Sequence, residues 1–550
     1  MTVTSSAAPG VPVETVPITD PITISHFTQA LLSSLKSVKP KARPDDLSKI
    51  TVSQTVSLFA LAYEKLRNAI EYREDHLIRR AAIDRILRRR FMLNPQGKGE
   101  AENLIRELLW ARYFSNGSLG GQDLLTVQEI IDKYLLLRRT LIGGRPAEVQ
   151  EYLGDFLMQM LTCEIEEMLS PADASTDASY TFFIYQVIRK KIRIEGLTED
   201  QKDAFFFASL EKAFRKSDKP YQRYHLFTIF YQPVNKYTDK QLQSLTQKLP
   251  AIFKKIDETL NNPTVDKLTR YTRKQLPPFL ILFAVIKEKF KEAEEIISDK
   301  IRLWSEVDMM CREKYQQLAG RIRNLAIRSF IYIFLTKMIF ALILEIPVSK
   351  YVFGDVNLKS IVINSLFPPI LMLLIVSFFK VPGEDNTKNI FNRIVNIIDR
   401  DTSFETSMSF VPKKSRVKKP MLIFGFTVFY SLTFLVTLSL IYEVLNLMNF
   451  NIISMGVFVF FVSVVSFFSY RIRQIVNIYR LDEKEGILSP LIDFFFMPVL
   501  SLGKFFSSEL ARLNFLIFVF DFLIEAPFKL IFEVIEEWIS FVRKRKEEII

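Results

Sequence analysis

The sequence predicts an all-α protein, with a large cytosolic helical region followed by a polytopic membrane domain of two transmembrane hairpins. The first observation is a pair of apolar runs, Phe330–Val348 and Ile361–Phe379, of 19 residues each. Such a run is roughly 28 Å long as a helix, close to a hydrocarbon core of about 30 Å. A second pair follows at Met421–Met448 and Ile452–Tyr470, which makes four spans. Glycine is also scarce, with 17 residues, whereas average usage near 7% predicts about 38.

Composition limits the partners and the chemistry. The formal net charge of +12 favours an anionic partner, and phospholipid head groups come before nucleic acid, which is not expected for a membrane protein. Neither Cys163 nor Cys311 belongs to a CxxC pair, and His26, His76 and His225 are far apart in the sequence. We therefore expect no disulfide framework, no metal site and no cofactor.

The N-terminal residues 1–44 are rich in Ser, Thr, Pro and Val and carry little charge. This composition predicts a mostly disordered tail. Within it, Ser25–Val38 has apolar residues at helical spacing, which indicates a short helix.

Residues 45–276 predict a cytosolic helical domain. From Thr51 onwards, apolar residues recur at intervals of three and four, and no Pro or Gly appears before Pro95. Short connecting loops predict neighbouring helices that pack as a bundle or as stacked pairs. The further predicted helices are 100–114, 125–140, 146–168, 178–192, 199–215, 239–260 and 263–275.

Two helix starts in this domain carry a capping-box signature. Thr198 with Gln201, and Thr238 with Gln241, have the three-residue spacing at which each side chain can satisfy the other residue's backbone N–H.

The first long helix of the domain ends in a cluster of arginines. One interpretation is a contact with anionic lipid or RNA, and the favoured alternative is a solvated face paired with Glu74, Asp75 and Asp84. The members are Arg79, Arg80, Arg85, Arg88, Arg89 and Arg90.

The usual signatures of an enzyme are missing from the sequence. Gly97–Lys98 resembles the end of a P-loop, but Met92 and Gly99 occupy positions that need Gly and Ser or Thr. The acids Glu164, Glu166 and Glu167 lie in a helix of mixed pattern and are expected at the surface. We therefore do not expect an enzyme.

Residues 277–328 predict a long helical stalk that begins at the break Pro277–Pro278. Its apolar residues alternate spacings of four and three over 286–318, a heptad seam with Lys300 as its charged member. Two interpretations stand equally: a coiled coil that pairs two chains into a homo-oligomer, or a long hairpin helix packed on the domain.

The positive-inside rule sets the topology. Residues Arg312–Arg328 hold five Lys or Arg, and the loop at 381–420 together with Lys380 holds nine. The two hairpin turns, Ser349–Ser360 and Asn449–Asn451, hold two and none. The sequence therefore predicts hairpins at 329–380 and 421–470 in the cell (inner, cytoplasmic) membrane, with both chain termini cytosolic.

The remaining residues, 471–550, are apolar but carry charges every four residues from Asp521 to Glu537. This charged stripe favours amphipathic helices in the membrane interface. The alternative is a fifth and a sixth span, at Leu491–Phe506 and Leu513–Ile535, which would have to bury ionised groups.

Two features within the predicted spans bear on function. Lys337 lies eight residues into the first span, where it can bind an anionic substrate, pair with an acid such as Glu443, or extend towards the interface. Pro368–Pro369 interrupts the second span, as in helices that line ion sites, although a single kink is more often structural.

A basic cluster in the central loop directly precedes the third span and is the predicted lipid contact. It comprises Lys413, Lys414, Arg416, Lys418 and Lys419. These observations favour a non-enzymatic membrane scaffold or interaction protein with unknown protein partners. A transporter or channel with a regulatory cytosolic domain is the alternative, and a membrane-bound enzyme ranks third.

Overall fold

The computed structural model describes residues 22–38, 48–54, 74–481 with short gaps, and 496–506, together with isolated positions in 57–64 and 534–542. The gaps within the long segment are 195, 354–357, 378, 380 and 400–419. Over the described residues the structure is nearly all helical, as predicted, and contains no strand.

Within the part of the chain that the structure describes, twelve helices and the start of a thirteenth form one helical domain around a shared apolar core. Helix α5 lies at its centre and packs against α2, α4 and α8, while α7 packs along α11. In chain order the helices are α1 (His26–Ser37), α2 (Asp75–Leu93), α3 (Glu100–Trp110), α4 (Gly121–Ile142), α5 (Ala147–Leu169), α6 (Pro171–Arg189), α7 (Glu199–Ala213), α8 (Lys219–Phe230), α9 (Asp239–Thr246), α10 (Leu249–Leu260), α11 (Pro263–Glu288), α12 (Ala293–Ser298) and α13 (Lys300–Phe340).

Local capping fixes several of these boundaries. Both predicted capping boxes are present, and at the start of α7 Thr198 and Gln201 each accept the other's backbone N–H. Helix α8 was not predicted, because its sequence mixes charged and aromatic residues without a clear apolar period. Its N-cap is Asp218, whose side chain accepts the Tyr221 N–H.

The segment predicted as a tail contains a docked helix. Helix α1 packs on α6, and its buried side chains include Leu31, Leu32 and Leu35, the apolar positions that the helical spacing had indicated. The Ile22 N–H donates to the Ser298 carbonyl. The other residues of the predicted tail lie outside the described part of the chain.

The stalk is not one continuous helix, which corrects the prediction. Helix α11 continues through Pro277–Pro278 without ending. It ends instead at Glu288, and the helical path is interrupted again at Asp299, the N-cap of α13. Most of the heptad seam, Val307 and Cys311 among it, is buried in the core of the same chain. The seam is therefore not an exposed surface for a second copy.

Helix α13 continues beyond this core through a π-helical turn, Ala341–Glu345, into α14 (Ile346–Phe353). The later helices are α15 (Leu358–Ser377), α16 (Glu384–Ile398), α17 (Pro420–Leu447) and α18 (Ile452–Val476). Among the described residues, three helices are long and apolar enough to cross a membrane: Lys300–Val352, Lys359–Ser377 and Phe424–Leu447. The apolar part of α18, Ile452–Phe468, is shorter.

The second half of α13 packs with α15 and α18, and we call these three helices the apolar bundle. Helix α17 joins them near its C-terminal end, where Leu445 shares a cluster with Met455 of α18. At the near end of the bundle, Ala326 of α13 shares one cluster with Val376 of α15 and Ile472 of α18. At its far end, Asn451 Nδ2 donates to Ser349 Oγ at 2.9 Å. Helix α14 and the turn after α17 therefore lie at the same end, away from the helical domain.

Two segments that follow the apolar helices return to the helical domain. Helix α16, within the predicted basic loop, packs on α11 and α13, and Ile390 and Ile394 are fully buried in the domain core. The short turn Asn477–Tyr479, after α18, packs on α11. Part of the predicted loop is therefore a structural element of the domain.

Helix α19 (Phe496–Phe506) lies against the apolar bundle. A Cβ added at Gly503 would collide with the Ser463 carbonyl oxygen of α18, so only glycine permits this approach. Ser501 Oγ lies 3.1 Å from the Tyr430 hydroxyl of α17. The other residues predicted as C-terminal amphipathic helices are mostly outside the described chain.

Candidate functional site

Lys337 lies inside the apolar bundle and is paired with an acid of its own helical stretch. Its Nζ is 3.1 Å from Glu345 Oε2, and both side chains are 0% exposed. The sequence had suggested Glu443 as a partner, or extension of the side chain to the interface. Both suggestions are wrong, because Glu443 is exposed and the Lys337 ammonium is enclosed.

The π-helical turn makes this pairing geometrically feasible. Residues eight apart in an α-helix are separated by about 80° around the axis, whereas those seven apart differ by only about 20°. The extra residue in Ala341–Glu345 reduces the separation of Lys337 and Glu345 towards the smaller angle. Pro347 follows within the helix and lacks the N–H of a regular turn, which accounts for the local widening.

Two further helices complete the polar cluster around the pair. From α15, Asn364 Nδ2 donates to Glu345 Oε1 at 2.7 Å and to the Ser454 carbonyl of α18 at 3.2 Å. From α18, the Phe461 ring lies 4.9 Å from Lys337 Nζ, within the range of a cation–π contact. The cluster therefore joins three helices through one buried carboxylate.

The electrostatics of the cluster are those of a closed, neutral pair. A buried charge is tolerated when it is paired and its remaining atoms are hydrogen-bonded. The Glu345 carboxylate meets this condition through Lys337 and Asn364. Because Asn364 also binds α18, the same bonds fix the rotation of α13 relative to its neighbours.

The predicted lipid-binding residues lie outside the described part of the chain. They are Lys413, Lys414, Arg416, Lys418 and Lys419. Their role stays a prediction.

A second buried polar cluster lies inside the helical domain, and the sequence did not predict it. The imidazole of His225 lies between two acids, with Nδ1 2.8 Å from Glu211 Oε2 and Nε2 2.7 Å from Glu167 Oε1. Only a doubly protonated ring donates at both nitrogens, so this geometry favours the imidazolium form. Arg215 lies 3.6 Å from the second oxygen of Glu211.

The pKa shifts in this cluster follow the same geometry. Burial and Arg215 would lower the pKa of His225, but Glu211 and Glu167 outweigh them and raise it. Burial would raise the pKa of Glu211, yet His225, Arg215 and the Ser217 hydroxyl lower it to about 2. The cluster is thus a set of mutually stabilised charges in a protein interior.

The acids Glu164 and Glu166, expected at the surface, are 2% and 3% exposed and correct that prediction. Glu164 accepts a hydrogen bond from the Tyr134 hydroxyl, and Glu166 accepts one from the Tyr221 hydroxyl. Burial raises the pKa of both carboxyls. The tyrosines that bind them are separated from them by more than 29 residues in sequence, so no local pattern reveals the contact.

The arginine cluster of α2 is not a free basic face. The favoured alternative, a solvated face paired with Glu74, Asp75 and Asp84, is right only in part: the arginines pair with acids, but most of these side chains are largely buried and most partners come from other helices. Arg79 pairs with Glu166 and Asp173, Arg80 with Asp218, Arg85 with Glu64, Arg88 with Asp84 and Asp155, and Arg89 and Arg90 with Glu107.

Within the described residues, no group of three or more His, Cys, Asp or Glu side chains is arranged to hold a metal ion. Comparison with known proteins adds no family assignment, because no protein-family model, curated protein or solved structure matches this chain.

Proposed function

We propose that this protein is a multi-pass, non-enzymatic membrane scaffold whose helical domain is held rigidly against the membrane by two hairpins. The observation that carries the proposal is the return of α16 and of residues 477–481 to the domain core. A flexible tether would need neither contact. A domain fixed at three points can present its surface to partners in a constant orientation.

Four spans with cytosolic termini agree with this arrangement. The domain, α16 and residues 477–481 touch one another, so an even number of crossings must separate each from the next. Helices α13 and α15 supply the first two crossings, and α17 with α18 supplies the second two. The excess of Lys and Arg on the domain side favours the cytosolic face of the cell membrane.

Under this proposal, two parts of the protein contact lipid. Large apolar side chains of α17, including Phe424 and Leu440, are exposed, as expected for a helix that faces acyl chains. The basic residues of 413–419 directly precede α17 and would contact anionic head groups. The contacts of α19 with Ser463 and Tyr430 favour a position within the bilayer for this helix, beyond the four spans.

A transporter or channel remains the second candidate, on one specific observation. The Lys337–Glu345–Asn364 cluster lies about one turn from Pro368–Pro369, which α15 includes without ending, and polar side chains beside irregular helices line the sites of many transporters. The closed geometry of the ion pair and its partners is the argument for a structural role instead.

The deciding experiment combines two measurements on the full chain. Affinity purification from gently solubilised native membranes should recover a protein partner at a fixed ratio that an unrelated four-span protein does not recover. Reconstituted vesicles should show no solute or ion flux above that of protein-free vesicles. A selective flux without any partner would contradict the scaffold proposal and favour a transporter.

A further inference from the structure

Helix α1 lies in a groove that three later segments of the helical domain form. It packs along α6. At its N-terminal end, the Ile22 N–H donates to the carbonyl of Ser298, the last residue of α12, and the Ser25 N–H donates to the carbonyl of Ile398, the last residue of α16. We call the surface of α6, α12 and Ile398 that faces α1 the α1 groove.

The contacts of α1 are those of an amphipathic helix bound in a groove. Its buried positions, Thr28, Leu31, Leu32 and Leu35, have the spacing i, i+3, i+4 and i+7 by which grooves recognise one apolar face of a helix. Ser33, on the opposite face, is exposed. The same leucine spacing on another helix would therefore satisfy the groove equally well.

The rim of the groove adds a charge preference. Lys36 Nζ, in the last turn of α1, is 2.7 Å from Glu294 Oε2 of α12, and both side chains are more than half exposed. Glu292, at the start of α12, is also exposed. The rim therefore favours a helix that has a basic residue near its C-terminal end.

Two features indicate that α1 can be displaced from the groove. Only four of its twelve residues are buried, and a helix of this length is marginally stable without its tertiary contacts. In addition, α1 does not cover the whole apolar surface. Ser34 Oγ lies 2.7 Å from Ser179 Oγ of α6, yet Phe182, one turn further along the same side of α6, is 58% exposed.

We propose that the α1 groove is a docking site for an amphipathic helix of a protein partner, and that α1 occupies it as an autoinhibitory segment. The partner helix has leucines at the spacing of Leu31, Leu32 and Leu35, followed by a basic residue that pairs with Glu294. Because α1 belongs to the same chain, it competes at an effective concentration of about 1 mM. This inference rests on the scaffold proposal and names the class of partner.

Hydrogen exchange on the purified full chain in detergent tests whether α1 leaves the groove. The central amides of α1 should exchange at least about 100 times faster than those of α5, because α1 can open without unfolding of the domain. Equal protection of the two helices would show that α1 is a permanent part of the core and would overturn the proposal.

The second measurement is the fluorescence anisotropy of a labelled peptide of residues 22–38. Leu31→Asp with Leu35→Asp should release α1, because the groove offers an apolar environment to the two carboxylates. This open variant should bind the peptide at least about ten times more tightly than wild type, in which α1 competes. Gln29→Asp with Ser33→Asp makes the same charge change at exposed positions and should behave as wild type, so it also controls for peptide bound to detergent.

Two further probes make the outcome specific. A designed peptide that keeps only the three leucines and the lysine, in a background of Ala and Gln, should also bind the open variant. Ser179→Arg, added to the open variant, should abolish binding because it fills the groove. Leu31→Asp alone replaces the double substitution if the latter does not fold.

The inference is overturned if the open variant binds neither peptide. It is also overturned if the open variant binds only the wild-type protein, as a dimer, because the occupant would then be α1 of a second copy. The recovery of a partner and the absence of flux are measured on wild type without these peptides, so a failure here leaves the scaffold proposal standing.

Discussion

The side-chain amide of Asn386 donates a hydrogen bond to the hydroxyl of Tyr315 at 2.7 Å. The same Asn386 donates to the Tyr479 carbonyl and accepts the Leu481 N–H, at 2.8 and 3.0 Å. Tyr315 lies in the first half of α13, before its apolar part, Asn386 lies between α15 and α17, and Tyr479 follows α18. One half-buried amide therefore joins three segments that are separated in sequence by the apolar helices.

Replacement of Asn386 should loosen this junction. We expect Asn386→Leu to cost about 1–3 kcal/mol, because the Tyr479 carbonyl and the Leu481 N–H lose a partner in a partly buried position. Hydrogen exchange should then speed up in 384–398 and 477–481 but not in α5. Asn389→Leu is the matched control, since Asn389 is exposed on the same helix. Equal exchange in both variants would contradict a role for the amide.

Much of the fold could be predicted because it depends on local patterns. Apolar length identified α13, α15 and α17, and the capping boxes fixed the starts of α7 and α9. The break at Pro277–Pro278 was predicted wrongly, because the prolines are accommodated within α11 by burial against other helices. The docking of α16 depends on contacts between residues far apart in the sequence, such as Asn386 with Tyr315, 71 residues away, which no local period records.

The candidate sites also combine features that the sequence predicted with features that it did not. Lys337 could be singled out because a charge in an apolar run is visible in the sequence, but its partner depended on the π-helical turn at 341–345. The burial of the acids around His225 was not predicted, because their partners come from three helices. A single signal was available, the i,i+4 pair Glu211 and Arg215, and it is equally typical of an exposed helix face.

Reporter fusions test the membrane topology. Fusions after Asp355 and near Asn449 should be extracytosolic, because Ser349 and Asn451 meet at the end of the bundle away from the domain. Fusions after Lys388, after Glu483 and at Ile550 should be cytosolic. A cytosolic signal at Asp355 would contradict the first hairpin.

A fusion near Arg512 tests the position of α19. An extracytosolic signal there would mean that α19 crosses completely, which would give more than four spans. A cytosolic signal is expected if the chain at α19 enters the membrane beside Ser463 and returns to the cytosolic face, or if α19 stays at the interface.

Binding to anionic lipid tests the basic residues in 413–419. Each Lys or Arg near an anionic surface contributes about 1 kcal/mol. Replacement of all five by Gln in a loop peptide should therefore weaken binding to anionic vesicles strongly and reduce its salt dependence. The unmodified peptide on neutral vesicles is the control, and equal binding to both vesicle types would remove the lipid role.

The protonation of His225 should make the helical domain pH-dependent. Because the folded-state pKa of His225 is raised above 6.5, its stabilising contribution is complete below that pH and is lost as the pH rises through the folded value. The midpoint difference between wild type and His225→Gln should therefore be larger near pH 6 than near pH 9. His26→Gln, at an exposed position, is the matched control.

His76 acts in the opposite direction and can be separated from this effect. Burial, followed by Arg215 and Arg79, lowers its pKa to about 4. Its contribution is present above pH 6.5 and is lost as the pH falls towards 4. The charge on His225 helps to lower this pKa, but folded His76 is neutral between pH 6 and pH 9 in both wild type and His225→Gln, so its contribution cancels in their difference over that range. A difference that does not change between pH 6 and pH 9 would show that His225 is not charged in the fold.

Removal of one member of the Lys337–Glu345 pair should be far more damaging than removal of both. Lys337→Met leaves an uncompensated buried carboxylate, for which we expect a loss of about 3–5 kcal/mol. Lys337→Met with Glu345→Met removes both charges, and the loss should fall to about 2 kcal/mol or less because apolar side chains replace a closed pair. Unfolding midpoints of the purified full chain give both values. The same variants in reconstituted vesicles decide between the two functional candidates: the scaffold predicts no flux in any of them, whereas a selective flux in wild type that the folded double variant lacks would establish a transport role for the pair.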